Sequence, residues 1–179
     1  MKTYSELVEG LKEIKKSGFV KTHRTGNTGI GKTLEDLLGV KENNFAGPDG
    51  ITTELKAGRK NTSSMLTLFT KSPKPPRINS VLLKEFGYPE KEGSNKNILH
   101  TTINVIYFNT LRGQRGLKVG IKNDRIEIIS NLKKDIPIPY WDKETLQKRF
   151  ETKYKELLYV KADTKGKGAN EEFHFSFLH

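Results

Sequence analysis

Asp49, Glu54 and Lys56 are side chains whose types and spacing suit metal-dependent cleavage of DNA. They lie in the run Pro48-Asp49-Gly50-Ile51-Thr52-Thr53-Glu54-Leu55-Lys56. Two carboxylates and one backbone carbonyl make a ligand set for Mg²⁺, which takes few protein oxygens and keeps places for water and a substrate phosphate. A cation held there would lower the pKa of a bound water and neutralise charge on the phosphate. The neighbouring lysine could orient the attacking water and offset charge developing on phosphorus.

Two local elements must position these groups. Gly47, Pro48 and Gly50 signal a turn, which carries Asp49. Ile51 to Lys56 is rich in β-branched residues and predicts a strand. Alternate strand residues share a face, so Glu54 and Lys56 point the same way and Leu55 points into the core, with its carbonyl as the further oxygen ligand. Plainer readings compete. Pro-Asp-Gly is a common turn triplet, and Glu54 with Lys56 could be a same-face ion pair on a solvated strand. A central position among apolar neighbours argues against the second, because unpaired charge is costly there.

The whole chain sets bounds on partners. Its 179 residues suit one domain with room for a small lobe. Hydrophobic residues are 34% and charged residues 30%, with no apolar run near the roughly 20 residues of a spanning helix. Met1 to Lys16 is charged and helical in pattern, unlike a signal peptide. With no cysteine, disulfides and thiolate metal sites are excluded, and a reducing cytoplasm is the expected location. Lys and Arg number 32 against 21 Asp and Glu, a net charge of +11 that favours polyanions, nucleic acid first.

Thr3 to Lys16 predicts an amphipathic helix with a Thr3/Glu6 capping box and a Leu7, Leu11, Ile14 stripe. A polar loop over Lys21 to Lys32 and a short helix over Thr33 to Leu38, stopped by Gly39, follow. Strands are expected at Ile51–Lys56, Ser64–Thr70, Ile98–Asn109, Leu117–Ile121, Arg125–Ser130, Tyr159–Ala162 and Phe173–Phe177, with a hairpin turn at Asn123-Asp124. Ser80 to Phe86 is expected to be a helical turn. Asp142 should cap a helix running to about Leu157, with Leu146, Phe150 and Leu157 inward.

A second motif competes with the first. Gly26-Asn27-Thr28-Gly29-Ile30-Gly31-Lys32-Thr33 fits the phosphate-loop pattern G-x-x-x-x-G-K-[ST] of nucleotide-binding proteins. That mechanism needs a buried strand feeding the loop, and Phe19 to Arg24 turns polar and basic after two apolar residues. It also wants a later apolar strand ending in an acid, whereas Val105-Ile106-Tyr107-Phe108 ends in Asn109. The same loop could instead meet a DNA phosphate through its backbone donors.

The runs Thr28-Gly29-Ile30-Gly31-Lys32-Thr33-Leu34-Glu35-Asp36-Leu37-Leu38-Gly39, Gly47-Pro48-Asp49, Glu54-Leu55-Lys56 and Leu66-Thr67-Leu68-Phe69-Thr70 resemble the MvaI/BcnI type II restriction endonucleases. These group with the mismatch-repair nicking enzyme MutH in the PD-(D/E)xK nuclease superfamily. The resemblance implies an α/β restriction-endonuclease-like fold, a mixed central sheet flanked by helices with a DNA cleft, as a single nuclease domain that can be bilobed. It implies cleavage of double-stranded DNA at a short C/G-rich site, with one or two Mg²⁺ ions and Mn²⁺ able to substitute. On this resemblance Asp49 and Glu54 match the metal ligands, Lys56 the catalytic lysine, and Glu35 an additional acid near the metals. A monomer, no membrane, and a cognate DNA methyltransferase as functional partner are implied too. A hemimethylation-dependent nicking enzyme is the alternative with the same chemistry. Asp49 and Glu54 are five apart, which a tight turn into a strand accommodates. Family members continue past the strand matching Glu172 to Phe177, so the chain is expected to be a fragment, a minimal relative or part of a split enzyme.

DNA contacts are expected from Lys32 and Thr33 at a helix start, Arg59 and Lys60 after the catalytic strand, Lys71 and Lys74 with Arg77 around Ser-Pro-Lys-Pro-Pro, and Arg112 and Arg115 facing guanines. Each could equally be a solvated surface charge.

Overall fold

The computed structural model describes residues 1–41, 47–63, 65–111, 116–132 and 135–178, with side chains as far as residue 176. The chain divides into two compact units, Met1–Leu68 with Arg149–His179, and Phe69–Lys148.

The first unit begins with α1 (Tyr4–Lys16), whose Thr3/Glu6 capping box forms as expected and whose stripe Leu7, Leu11 and Ile14 is buried. Its four-stranded sheet has the order β1 (Val20–Lys21), β9 (Glu172–Leu178), β8 (Glu156–Lys165), β2 (Thr53–Arg59). β2 runs parallel to β8, and the other pairs are antiparallel, so the sheet is mixed. α1 packs on β9, and α2 (Gly29–Leu37) packs on β2. Leu7, Leu34, Leu38, Leu55, Leu158, Val160, Phe173 and Phe175 close the core between them. Leu34 is fully buried. Leu34→Ala is therefore expected to cost about 2–5 kcal/mol, read as a lower midpoint in urea unfolding.

Several boundaries differ from the sequence expectation. α2 starts at Gly29, because its first turn is closed by Gly29 N–H to Gly26 C=O and Lys32 N–H to Thr28 C=O. β2 starts at Thr53 and lies at the sheet edge, not the centre. The helix after Asp142, α4 (Lys143–Lys153), stops short of Leu157, which belongs to β8 and is 39% exposed. No residue of α4 is buried, Phe150 included. Residues 65–70 form no strand: the Leu68 carbonyl is taken by the Tyr154 hydroxyl rather than by a ladder.

The strand pair β2/β8 opens with Thr53 opposite Glu156. The hydroxyls of Thr52 and Thr53 donate to the Glu156 carboxylate at 2.5 and 2.8 Å and hold its pKa below the ordinary glutamate value. A depressed folded pKa gives stability that is present above the unfolded value and lost as pH falls through the folded one. Thermal midpoints between about pH 6 and pH 3 should thus fall more steeply for the native chain than for Glu156→Gln.

The second unit holds α3 (Ile78–Phe86), the pair β3 (Tyr88–Pro89) and β4 (Asn97–Ile98), and a sheet of β5 (Leu117–Lys122), β6 (Arg125–Ser130) and β7 (Tyr140–Asp142). β5 and β6 form the expected hairpin, with Asn123 at φ 53° in the turn. Leu82, Phe86, Leu111 and Leu117 form its core. The strand expected over Ile98–Asn109 is reduced to its first residue. Asn104 Oδ1 accepts from the N–H groups of Ile106 and Tyr107, an Asx turn that bends the run away from a regular ladder, although the Asn104 carbonyl and the Asn109 N–H still bond to β5.

Candidate active site

The turn and edge strand carry the three candidate groups to one place in the first unit. As an edge strand, β2 leaves some N–H groups without a strand partner. Asp49 Oδ2 accepts one of them, Leu55 N–H, at 2.9 Å. Gly50 lets the turn lie this close, because a Cβ there would sit 2.8 Å from the Lys2 carbonyl oxygen. A residue's N–H and C=O leave an extended strand on the same side. The Leu55 carbonyl therefore leaves the strand on the side where Asp49 accepts from Leu55 N–H.

Glu54 and Lys56 share a face, with Lys56 Nζ 2.6 Å from Glu54 Oε1, while Leu55 between them is buried. Glu54 is fully buried at 0% exposure despite its place on an edge strand. A second ammonium group, Lys153 Nζ at the end of α4, lies 3.0 Å from the same Oε1. Among the described residues, neither oxygen of the carboxylate has a well-aligned hydrogen-bond partner. Tyr154, the next residue, is close enough to feel the charges of Glu54 and Asp49. Burial pushes its hydroxyl up to about 12, and the charges of Glu54 and Asp49 push in the same direction, so it stays a phenol at neutral pH. Its ring stacks on Phe150 at 5.1 Å.

This donor set fits one hard divalent cation. It offers a buried carboxylate oxygen without a hydrogen bond, a half-buried aspartate and a backbone carbonyl. Among the described residues, no three His, Asp or Glu side chains gather closely enough to hold a metal by themselves. Glu35, half-buried on α2, therefore does not join Asp49 and Glu54 in such a cluster.

Lys56 also stands at the edge of a cavity of about 790 Å³ in this unit, lined by Asn27, Ile30, Gly58, Thr62, Met65 and Lys167 among others. Arg59 lines it too, held by a bidentate pair with Glu171 at 2.7 Å and by the Gly26 carbonyl at 3.2 Å. That pairing raises the Arg59 pKa. Lys60 pairs with Asp163 at 3.3 Å.

The other expected DNA contacts are dispersed. Lys32 reaches Asp36 at 2.7 Å. Thr33 is fully buried: its hydroxyl donates to the Gly29 carbonyl and accepts from His23 N–H, which removes it from any phosphate. The helix start also lies upstream of both residues, so they are not its free donors. In the second unit Lys74 pairs with Asp142 at 2.6 Å, and the Lys71 carbonyl accepts from the Trp141 indole. Arg112 and Arg115 lie outside the described residues. The phosphate-loop reading loses its foundation here. The strand before the loop is a two-residue antiparallel edge, not a central parallel strand.

Lys153, Tyr154 and Glu171 were not foreseen from the sequence. Lys153 sits at the end of α4, and nothing in its spacing ties it to Glu54.

The profile of the MvaI/BcnI restriction endonuclease family matches residues 8–179. Among solved structures, the complex of restriction endonuclease MvaI with its cognate DNA substrate superposes with a TM-score of 0.86 at 32% identity, covering 99% of this chain and 74% of that one. MvaI in the absence of DNA matches with a TM-score of 0.50 at 30% identity, covering 98% and 73%. None of the curated proteins matches. The family profile spans nearly the whole sequence, so the chain belongs to the MvaI/BcnI restriction endonuclease family and is a type II restriction endonuclease.

Proposed function

We propose that the chain hydrolyses phosphodiester bonds of double-stranded DNA at a short C/G-rich sequence, using Mg²⁺ held by Asp49, Glu54 and the Leu55 carbonyl. The observation that carries this reading is the buried Glu54 carboxylate, with Oε2 lacking a hydrogen bond among the described residues and Lys56 2.6 Å from Oε1. Lys56 and Lys153 offset the charge, but the carboxylate is left without a hydrogen bond, and buried polar oxygens of that kind are rare unless a further ligand takes them. When bound, the cation supplies positive charge against the phosphate and lowers the pKa of the attacking water.

The chain's own residues do the rest. Asp49 is aimed by its bond to Leu55 N–H, which keeps one carboxylate oxygen toward the strand. Lys56 takes a place beside the scissile phosphate, where it orients the water and offsets charge on phosphorus. Glu35 adds negative charge from α2. Arg59 acts through Glu171 and Gly26, fixing the loop before α2, while Lys60, Lys71 and Lys74 meet backbone phosphates and Arg112 and Arg115 read guanines. The enzyme works as a monomer, and a cognate methyltransferase protects the host's sites.

Incubation with plasmid, with and without Mg²⁺, followed by sequencing of the ends, tests the proposal. Ends that map to one short sequence with 5′-phosphates, only when Mg²⁺ is present, are expected. Random ends or metal-independent cutting would overturn it. Comparing unmethylated, hemimethylated and fully methylated plasmid separates this reading from a hemimethylation-dependent nicking enzyme.

A further inference from the structure

Around Glu54 the charges balance without any metal: Asp49 and Glu54 against Lys56 and Lys153. Glu54 is wholly removed from water, and both ammonium groups lie on the same oxygen, Oε1. A divalent cation that reached this carboxylate would meet two positive charges at hydrogen-bond range. Repulsion of that kind is strong where water is excluded, so one ammonium must leave.

The two lysines are not equivalent. Lys56 is fixed to the middle of β2, paired along its length with β8, so its Cα cannot move without the sheet. Lys153 is the last residue of α4, where regular structure ends before β8 begins at Glu156. Its flexible four-carbon stem carries a compact, strongly hydrated charge that can swing to solvent or phosphate.

We propose that Lys153 is a positioning residue that acts as a stand-in cation for Glu54, and that a divalent metal loads only by displacing it. The inference rests on the reading of Asp49 and Glu54 as the metal ligands. Lys153 neutralises Glu54 in the metal-free protein, keeps the carboxylate in its buried slot, and weakens the site for free cations. DNA phosphates then favour loading, because they offer the displaced ammonium a new partner.

Binding of Mn²⁺ alone to the full chain, followed by electron paramagnetic resonance or calorimetry without DNA, tests this. Lys153→Met is expected to bind Mn²⁺ at least about tenfold more tightly than the native chain, while Lys153→Arg, which keeps the charge, stays near native. A gain in affinity is not what mere damage to packing would produce. Should Lys153→Met fail to fold by circular dichroism, Lys153→Gln is scored in its place. Unchanged or weaker Mn²⁺ binding in the neutral variant overturns the proposal. Glu54→Gln in the native background separates the two levels. If it abolishes Mn²⁺ binding while Lys153→Met changes nothing, only the stand-in role fails; if Mn²⁺ binding survives Glu54→Gln, the ligand assignment itself fails.

Discussion

Glu54→Gln and Asp49→Asn are each expected to lower Mg²⁺-dependent cleavage on the order of a thousandfold or more, with duplex binding nearly unchanged. These isosteres are chosen over alanine for structural reasons. Removing the Glu54 side chain would leave Lys56 and Lys153 facing each other beside a buried void, whereas glutamine keeps the volume and an acceptor. Asparagine at 49 keeps an oxygen for Leu55 N–H and so preserves the turn, while the charge is lost. A loss of cleavage in these variants thus reports on the carboxylate charge, not on the fold. Single-turnover cleavage of plasmid in Mg²⁺, beside gel-shift binding in Ca²⁺, makes the measurement. Native-like cutting by both would remove the proposed roles.

Affinity for duplex DNA should fall about 10³- to 10⁵-fold between 50 and 200 mM salt, if the surface neutralises roughly six to ten phosphates. The net charge of +11 supplies the reservoir for that effect. Many of the cations are already paired, however: Lys32 with Asp36, Lys60 with Asp163, Lys74 with Asp142. The exposed pair of Lys60 with Asp163 is weak, with a worth of about 0–1 kcal/mol, so a phosphate can compete for that lysine. Arg59 is different, because its pair with Glu171 is bidentate and partly buried. Lys60→Ala is therefore expected to lower the slope of log affinity against log salt by about one. A slope near zero in the native chain would remove the electrostatic argument altogether.

Much of the candidate site was legible in the chain itself, because it rests on local rules. The period of two on a strand placed Glu54 and Lys56 on one face, and turn chemistry at Pro48-Asp49-Gly50 placed Asp49 before it. The same short-range logic found the capping box of α1, its buried stripe and the β5/β6 hairpin. It failed where a side chain, remote or adjacent, competed for the backbone. Apolar runs at 65–70 and 99–109 have strand composition, yet side chains of Tyr154 and Asn104 claimed their backbone groups. Thr33 carried the mark of a phosphate contact, but the early start of α2 turned it into the core.

The amino-acid order alone determined the chemical type of the candidate site: two acids and a lysine within one turn and strand, on a strongly basic chain without cysteine. Only the tertiary structure decided that β2 is an edge strand with a wholly buried glutamate, and that Lys153, distant in sequence, is its second cation. The physical reason is range. Side-chain direction along a strand follows from neighbouring dihedral angles, whereas burial and ion pairing depend on which remote segment packs against that strand.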